Sequence, residues 1–216
     1  MSDPNSNRLN YRGELSRKGL HLLALSYPVG YVLLERSVGL WIAVSLSLVA
    51  LSLDFFRTRS KAVYRFFDVT FGFMMRGRER DVMRGHMVIN GATWVAVSFT
   101  LLVVFFPEDL AIVSFALFMI GDAVAAIVGR RWGRIQWARK GCTVEGSVAF
   151  FLAGLAMAFG LASTYSSVAY YDIETLALVG GVAVACVLEA APLPVNDNLI
   201  APLGAALSML AITALV

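Results

Sequence analysis

The sequence predicts an all-α fold: a multi-pass integral membrane protein of about seven transmembrane helices, with one further amphipathic helix in the interface. Three observations predict it. Apolar residues fill 58% of the 216 positions and charged residues only 15%, with a strongly positive mean hydropathy, a balance that a water-soluble domain of this size does not sustain. Apolar runs recur along the whole chain, and a helix needs about 20 such residues to cross the hydrocarbon. The connections between the runs carry Lys and Arg on alternate sides, as retention of positive charge in the cytoplasm requires.

The runs are Leu20 to Leu34, Val38 to Leu53, Met87 to Phe106, Leu110 to Val128, Ser147 to Ala162, Leu176 to Ala191 and Leu199 to Val216. The first two are short and separated only by Glu35, Arg36 and Ser37, so a tight helical hairpin or a partly re-entrant pair is open there. The polar start, with Arg12, Arg17 and Lys18 before an apolar stretch, has the outline of a signal peptide, but the spans behind it favour a retained first helix.

Of the 18 Lys and Arg residues, 17 agree with one topology. Arg8, Arg12, Arg17 and Lys18 lie in the N-terminal tail, eight more lie between Asp54 and His86, and Arg130, Arg131, Arg134, Arg139 and Lys140 lie between Gly129 and Gly146. Only Arg36 falls on the other side. The N-terminus is therefore expected in the cytoplasm and the C-terminus outside, in the inner (cytoplasmic) membrane of the cell. Residues 1–216 form one membrane-embedded domain, within which 54–86 is a cytoplasmic interfacial connection mixing Arg57, Arg59, Lys61 and Arg65 with Phe66, Phe67, Phe71 and Phe73. Such a mixture suits a helix lying in the headgroup layer, either as a cationic anchor or as a gateway for a lipid. Cys142 and Cys186 are far apart and lack a C-x-x-C spacing, so both are read as reduced. A nucleic-acid partner is not expected, and the oligomeric state is open.

An Asp near a helix centre in a bilayer costs on the order of 3 kcal/mol, so ionisable groups in or beside the spans are functional candidates. Under this topology Asp54, Asp122, Glu145, Glu189 and Asp197 gather on the cytoplasmic side, together with His21, His86, Asn90, Arg130, Arg131, Arg139, Lys140, Asn196 and Asn198. Carboxylates beside Arg and Lys are what a magnesium-bound phosphate substrate requires. Glu35, Glu108, Asp109, Asp172 and Glu174, on the other side, read as solvated loop positions. Gly121, Ala125, Gly129 and Gly133 recur every four residues, a stripe on which a helix or a ligand can approach the backbone. Thr143 can cap the fifth span with Glu145 in its first turn, or that helix start can bind an anion beside Arg139 and Lys140. Pro192 and Pro194 end the sixth span, and one of Asn196, Asp197 and Asn198 can cap the seventh.

Four pieces in order resemble the CTP-dependent lipid kinases, the family of dolichol kinase, phytol kinase and the yeast-type diacylglycerol kinase. Glu14, Arg17, Lys18 and His21 resemble its E-x-x-R-K-x-x-H opening, and Gly91, Ala92, Thr93 and Trp94 with Phe106 and Pro107 its G-A-T-[YW] span. Gly121, Asp122, Ala125, Gly129 and Gly133, followed by Thr143, Glu145 and Gly146, resemble G-D-x-x-A-x-x-x-G-x-x-x-G and K-[ST]-x-E-G. Glu189 with Asp197, Asn198, Leu199 and Pro202 resembles E…D-N-L-x-x-P. The chain departs from the pattern at Cys142, where the family has lysine, the nearest lysine here being Lys140. The third piece is also similar to phosphatidate cytidylyltransferases.

The resemblance implies phosphoryl transfer from CTP to the hydroxyl of a polyprenol, phytol-like alcohol or diacylglycerol. It makes Asp122, Glu189 and Asp197 the expected magnesium ligands, Glu14, His21, Asp122, Lys140 and Glu145 the catalytic group, and Glu14 or His21 the base. Nucleotide and substrate binding then falls to Arg17, Lys18, Gly121, Gly129, Arg131, Gly133, Arg139, Thr143, Gly146 and Asn198. A nucleotidyltransferase making a CDP-lipid is the alternative, and a transporter or scaffold is less favoured, because the ionisable groups lie to one side and no internal repeat is present.

Overall fold

The computed structural model describes residues 11–75, 88–138, 141–169 and 173–216. Among them the regular structure is helical: α1 (Tyr11–Leu23), α2 (Ser26–Leu33), α3 (Arg36–Arg59), α4 (Lys61–Phe71) with a 3-10 turn at Gly72–Met74, α5 (Gly91–Phe105), α6 (Glu108–Trp132), α7 (Val144–Ala169), α8 (Thr175–Ala190) and α9 (Asp197–Thr213). Among the described residues α3, α6 and α7 are long and apolar enough to cross a membrane, while α5, α8 and α9 are shorter apolar helices. The described residues are thus all-helical, consistent with a membrane protein.

The expected first span, Leu20 to Leu34, is not one helix. The chain turns at Ala24 and Leu25, where the N–H groups of Ala24, Leu25 and Tyr27 each bond three residues back rather than four. Pro28 is the physical reason: it has no N–H to give to the carbonyl of Ala24, and its ring crowds that oxygen. Prolines set other boundaries too. α5 stops at Phe105 ahead of Pro107, and α8 stops at Ala190 ahead of Pro192.

α6 runs through the middle of the bundle, buried continuously from Asp109 to Met119. Its most extensive partner is α7, and the four-residue stripe explains the fit. A Cβ on Gly121 would meet the Phe150 ring at 3.0 Å, and one on Gly146 would lie 3.1 Å from the carbonyl oxygen of Ala125. The stripe is therefore a helix-packing surface. On its other side α6 contributes Phe115 to an aromatic cluster with Tyr27 and Phe99, to which Tyr31 packs. Trp41, Leu48 and Val49 on α3 point outward, as suits a helix surrounded by lipid tails.

The acids expected to be solvated divide. Glu35 and Glu174 are exposed, but Asp109, in the first turn of the central helix, is buried, and its Oδ1 has no hydrogen-bond partner among the described residues. Asp172 lies outside the described residues.

A buried polar centre and a basic cleft at one end of the bundle

Four contacts show which helix ends meet. Lys18 of α1 reaches Asp122 of α6, Asp54 of α3 binds Asn90 before α5, Asn198 of α9 donates to the carbonyl of Gly91, and Cys142 before α7 lies against Glu189 of α8. These residues occupy alternate ends of successive helices. Among the described residues, Lys18, Asp54, Asn90, Asp122, Glu189 and Asn198 therefore lie toward one end of the bundle.

One buried group there is Lys18, His21 and Asp122. Lys18 and His21 are three residues apart on α1, so both face α6. The Lys18 ammonium forms an ion pair with Asp122 Oδ2, and His21 Nε2 lies 3.1 Å from the same oxygen. The side chains of all three are about nine-tenths buried. The His21 ring meets Phe118, one turn before Asp122, edge-on at 5.9 Å between centroids. An isolated carboxylate would not persist in such surroundings, and the lysine supplies its counter-charge. Arg17 turns to another neighbour: its guanidinium lies 3.0 Å from where a Cβ on Gly91, the first residue of α5, would be.

Asp54 does not join this group. It is fully buried and accepts from the backbone N–H and side-chain amide of Asn90, both at 2.9 Å, and from the Thr93 hydroxyl at 2.7 Å, while Arg57 stands at 3.3 Å. Asn90 in turn caps α5 by accepting from Thr93 N–H. Asp54 and Arg57 thus fasten α3 to the start of α5, a structural role. The Asn90 and Thr93 spacing was the legible sign of that cap.

Between α6 and α7 the chain forms a short hairpin, which hydropathy reasoning did not anticipate. Gln136 and Thr143 form an antiparallel bridge, Val144 N–H donates to Ile135 O at 2.9 Å, and the left-handed Ala138 and Gly141 (φ 54° and 101°) turn the tip. Arg139 and Lys140 lie outside the described residues. Glu145, in the first turn of α7, accepts from the backbone N–H groups of Arg134 and Ile135 at 3.0 and 3.4 Å, so it holds the hairpin's base. Thr143 caps α7 by accepting from Gly146 N–H at 3.1 Å. Gly129 and Gly133 make room for Thr143, whose side chain would lie 2.9 Å and 2.6 Å from a Cβ at those positions. Beside this base opens a cleft of about 390 Å³ lined by Arg131, Trp132, Gly133, Arg134 and Glu145.

The expected metal ligands do not form one group. Asp122 is paired with Lys18, Glu189 accepts from the Cys142 thiol at 3.8 Å, and Asp197 sits in the first turn of α9, where Asn196 is the cap. Among the described residues no three His, Cys, Asp or Glu side chains converge as a metal site. The side chain of Glu14 and all of His86 lie outside the described residues. Sequence reasoning passed over Trp132 and Trp137; the latter donates from Nε1 to Ser147 Oγ at 3.1 Å and braces the hairpin against α7. Their position directly beside the basic run was the available signal.

No family model matches the sequence, and no solved structure matches it. An uncharacterised protein of Rickettsia prowazekii is 26% identical over 195 residues, covering 90% of this chain and 92% of that protein. A probable chloroplastic phytol kinase of Zea mays is 30% identical over 135 residues, 59% of this chain and 43% of its own. The CTP-dependent diacylglycerol kinase 1 of Schizosaccharomyces pombe is 25% identical over 150 residues, 66% of this chain and 64% of its own. The chain spans less than two thirds of the length of these named kinases.

Proposed function

We infer that this chain, a member of the CTP-dependent lipid kinase family by its homology to these enzymes, transfers the γ-phosphoryl group of CTP to the hydroxyl of a membrane lipid alcohol. The observation that carries the reading is the buried Lys18, His21 and Asp122 centre, which sets a histidine 3.1 Å from a carboxylate already paired with a lysine, the arrangement of an oriented base.

In this reading the lipid hydroxyl enters from the bilayer and its proton passes to His21 as its oxygen attacks the terminal phosphorus and CDP departs. Asp122 orients the imidazole and balances the imidazolium, while Lys18 compensates the carboxylate when His21 is neutral. Arg131 and Arg134 at the cleft, with Arg139 and Lys140, which follow them in the sequence, meet the phosphate charge. Asp122 lies ten residues before Trp132, about 15 Å along the helix axis at 1.5 Å per residue, a span comparable to an extended nucleoside triphosphate. Asp122, Glu189 and Asp197 do not converge among the described residues, so none of them is assigned to magnesium; an ion arriving with CTP would offset charge on its phosphates. α4 lies in the cytoplasmic headgroup layer, and the lipid is one of the polyprenol, phytol-like or diacylglycerol class.

The test uses the purified protein in lipid with magnesium and CTP labelled at the α- or the γ-phosphate. The kinase places the γ label in a lipid monophosphate. An α-labelled CDP-lipid with release of pyrophosphate would show a nucleotidyltransferase instead, and no transfer to any of these alcohols or to phosphatidate would overturn both enzymatic readings.

A further inference from the structure

We propose that Trp132 is the nucleobase platform of the cleft, stacking the cytosine ring of CTP on the face away from Arg131, while Arg134 beside it takes up phosphate charge. The proposal rests on the kinase reading and adds to it a residue that no motif selected. Trp132 is the last residue of α6 and lines the cleft together with Arg131, Gly133, Arg134 and Glu145. A cleft of about 390 Å³ is within the range of small-molecule sites, roughly 300 to 1,000 Å³. The indole is 57% exposed although it belongs to a helix whose middle is wholly buried. The Arg131 guanidinium lies 5.1 Å from the ring centroid, so one electron-rich face is engaged by a cation. A base on the opposite face completes a cation, indole and pyrimidine stack, an arrangement that binds any base and uses no hydrogen bond. Glu145 holds the chain just beyond the platform, because it accepts from the backbone N–H groups of Arg134 and Ile135, two and three residues after Trp132.

The competing account of an exposed tryptophan at a helix end is an interfacial anchor, which would leave nucleotide affinity alone. The two are separated by comparing CTP with inorganic tripolyphosphate, which carries the charge without the base, on full-length protein in nanodiscs. Base stacking on an aromatic side chain corresponds to a loss of about 5- to 150-fold on truncation to alanine. Trp132→Ala is expected to weaken CTP binding by a factor in that range and leave tripolyphosphate binding within about twofold, and Trp132→Phe is expected to restore most of the CTP affinity. CTP should also quench tryptophan emission in the wild type and not in Trp132→Phe. Equal loss for both ligands, or no loss for either, would overturn the platform. Wild-type protein that bound tripolyphosphate but not CTP would overturn it as well, and failure to bind either ligand would overturn the kinase reading beneath it. Because the side chain is exposed, all variants should unfold at the wild-type temperature, and that check accompanies the titrations.

Discussion

Lys18 and Asp122 stand 104 positions apart in the chain and form an ion pair inside the bundle, joining the first helix to the central one. Neither charge has water to retreat to, so each is tolerable only because of the other.

Removing one partner should therefore cost about 3 to 5 kcal/mol of stability, as expected when a buried charge is left alone. Asp122→Asn and Lys18→Met are each expected to lower the unfolding temperature, while the pair Lys18→Met with Asp122→Leu recovers most of it and remains inactive. A double-mutant cycle on unfolding in nanodiscs, with phosphoryl transfer measured alongside, reads both effects. Additive losses of stability would mean that the pair is not coupled. Activity in the double variant would remove the centre from the mechanism.

Glu145 gives a different signature, because what it holds is a loop. Its carboxylate accepts from the amides of Arg134 and Ile135, so Glu145→Ala should raise hydrogen exchange at those two amides and weaken nucleotide binding, with transfer at saturating CTP less affected. Glu145→Gln keeps an acceptor and should lie between. A variant with wild-type exchange but no turnover would instead place Glu145 at the reacting phosphate.

How much of this was readable beforehand follows the physics of each element. Bundle class and the shared polar end were legible, because apolar length and the positive-charge bias are properties of single segments. Thr143 as a cap and the Gly121 to Gly133 packing stripe were legible for the same reason, being spacings within one helix or its start. The break at Ala24 escaped a hydropathy reading because Pro28 is itself compatible with an apolar run. The fate of each carboxylate was not legible, since it depends on partners distant in sequence. Asp54 is used up by Asn90 and Thr93, Asp122 by Lys18, and Asp109 is buried by the helix that carries it. The hairpin between α6 and α7 hid because its bridge, Gln136 to Thr143, involves residues with no alternating pattern.

α4 presents Ala62, Phe66, Val69 and, beyond its end, Phe73 as exposed residues, while Val63, Tyr64, Phe67 and Phe71 turn partly inward. Spacings of three and four place the exposed apolar set along one face, with Lys61 and Arg65 beside it, as suits a helix half-sunk in an anionic leaflet. In a variant with its native tryptophans replaced by phenylalanine, Phe66→Trp should be quenched best by spin labels high on the acyl chain. Quenching only by aqueous iodide would put this helix in water, away from the bilayer.

Topology offers the widest check on the proposed site, because the polar centre can meet a cytoplasmic nucleotide only if its end of the bundle faces the cytoplasm. By the charge bias Lys140 is expected inside and Asp172 outside, and the contacts between Lys18 and Asp122 and between Cys142 and Glu189 tie α1 to α6 and the start of α7 to the last turns of α8. Single cysteines at positions 140 and 172, in a background with Cys142 and Cys186 replaced by serine, should react with a membrane-impermeant maleimide from opposite sides of sealed vesicles. Cysteine at position 15, on exposed Leu15 of α1, should follow position 140. If positions 140 and 172 reacted from the same side, the alternation of spans would fail. If positions 15 and 140 reacted from one side and that side were extracytoplasmic, the bundle would stand as described but its cleft would open away from the CTP pool, and the kinase reading would fall with it.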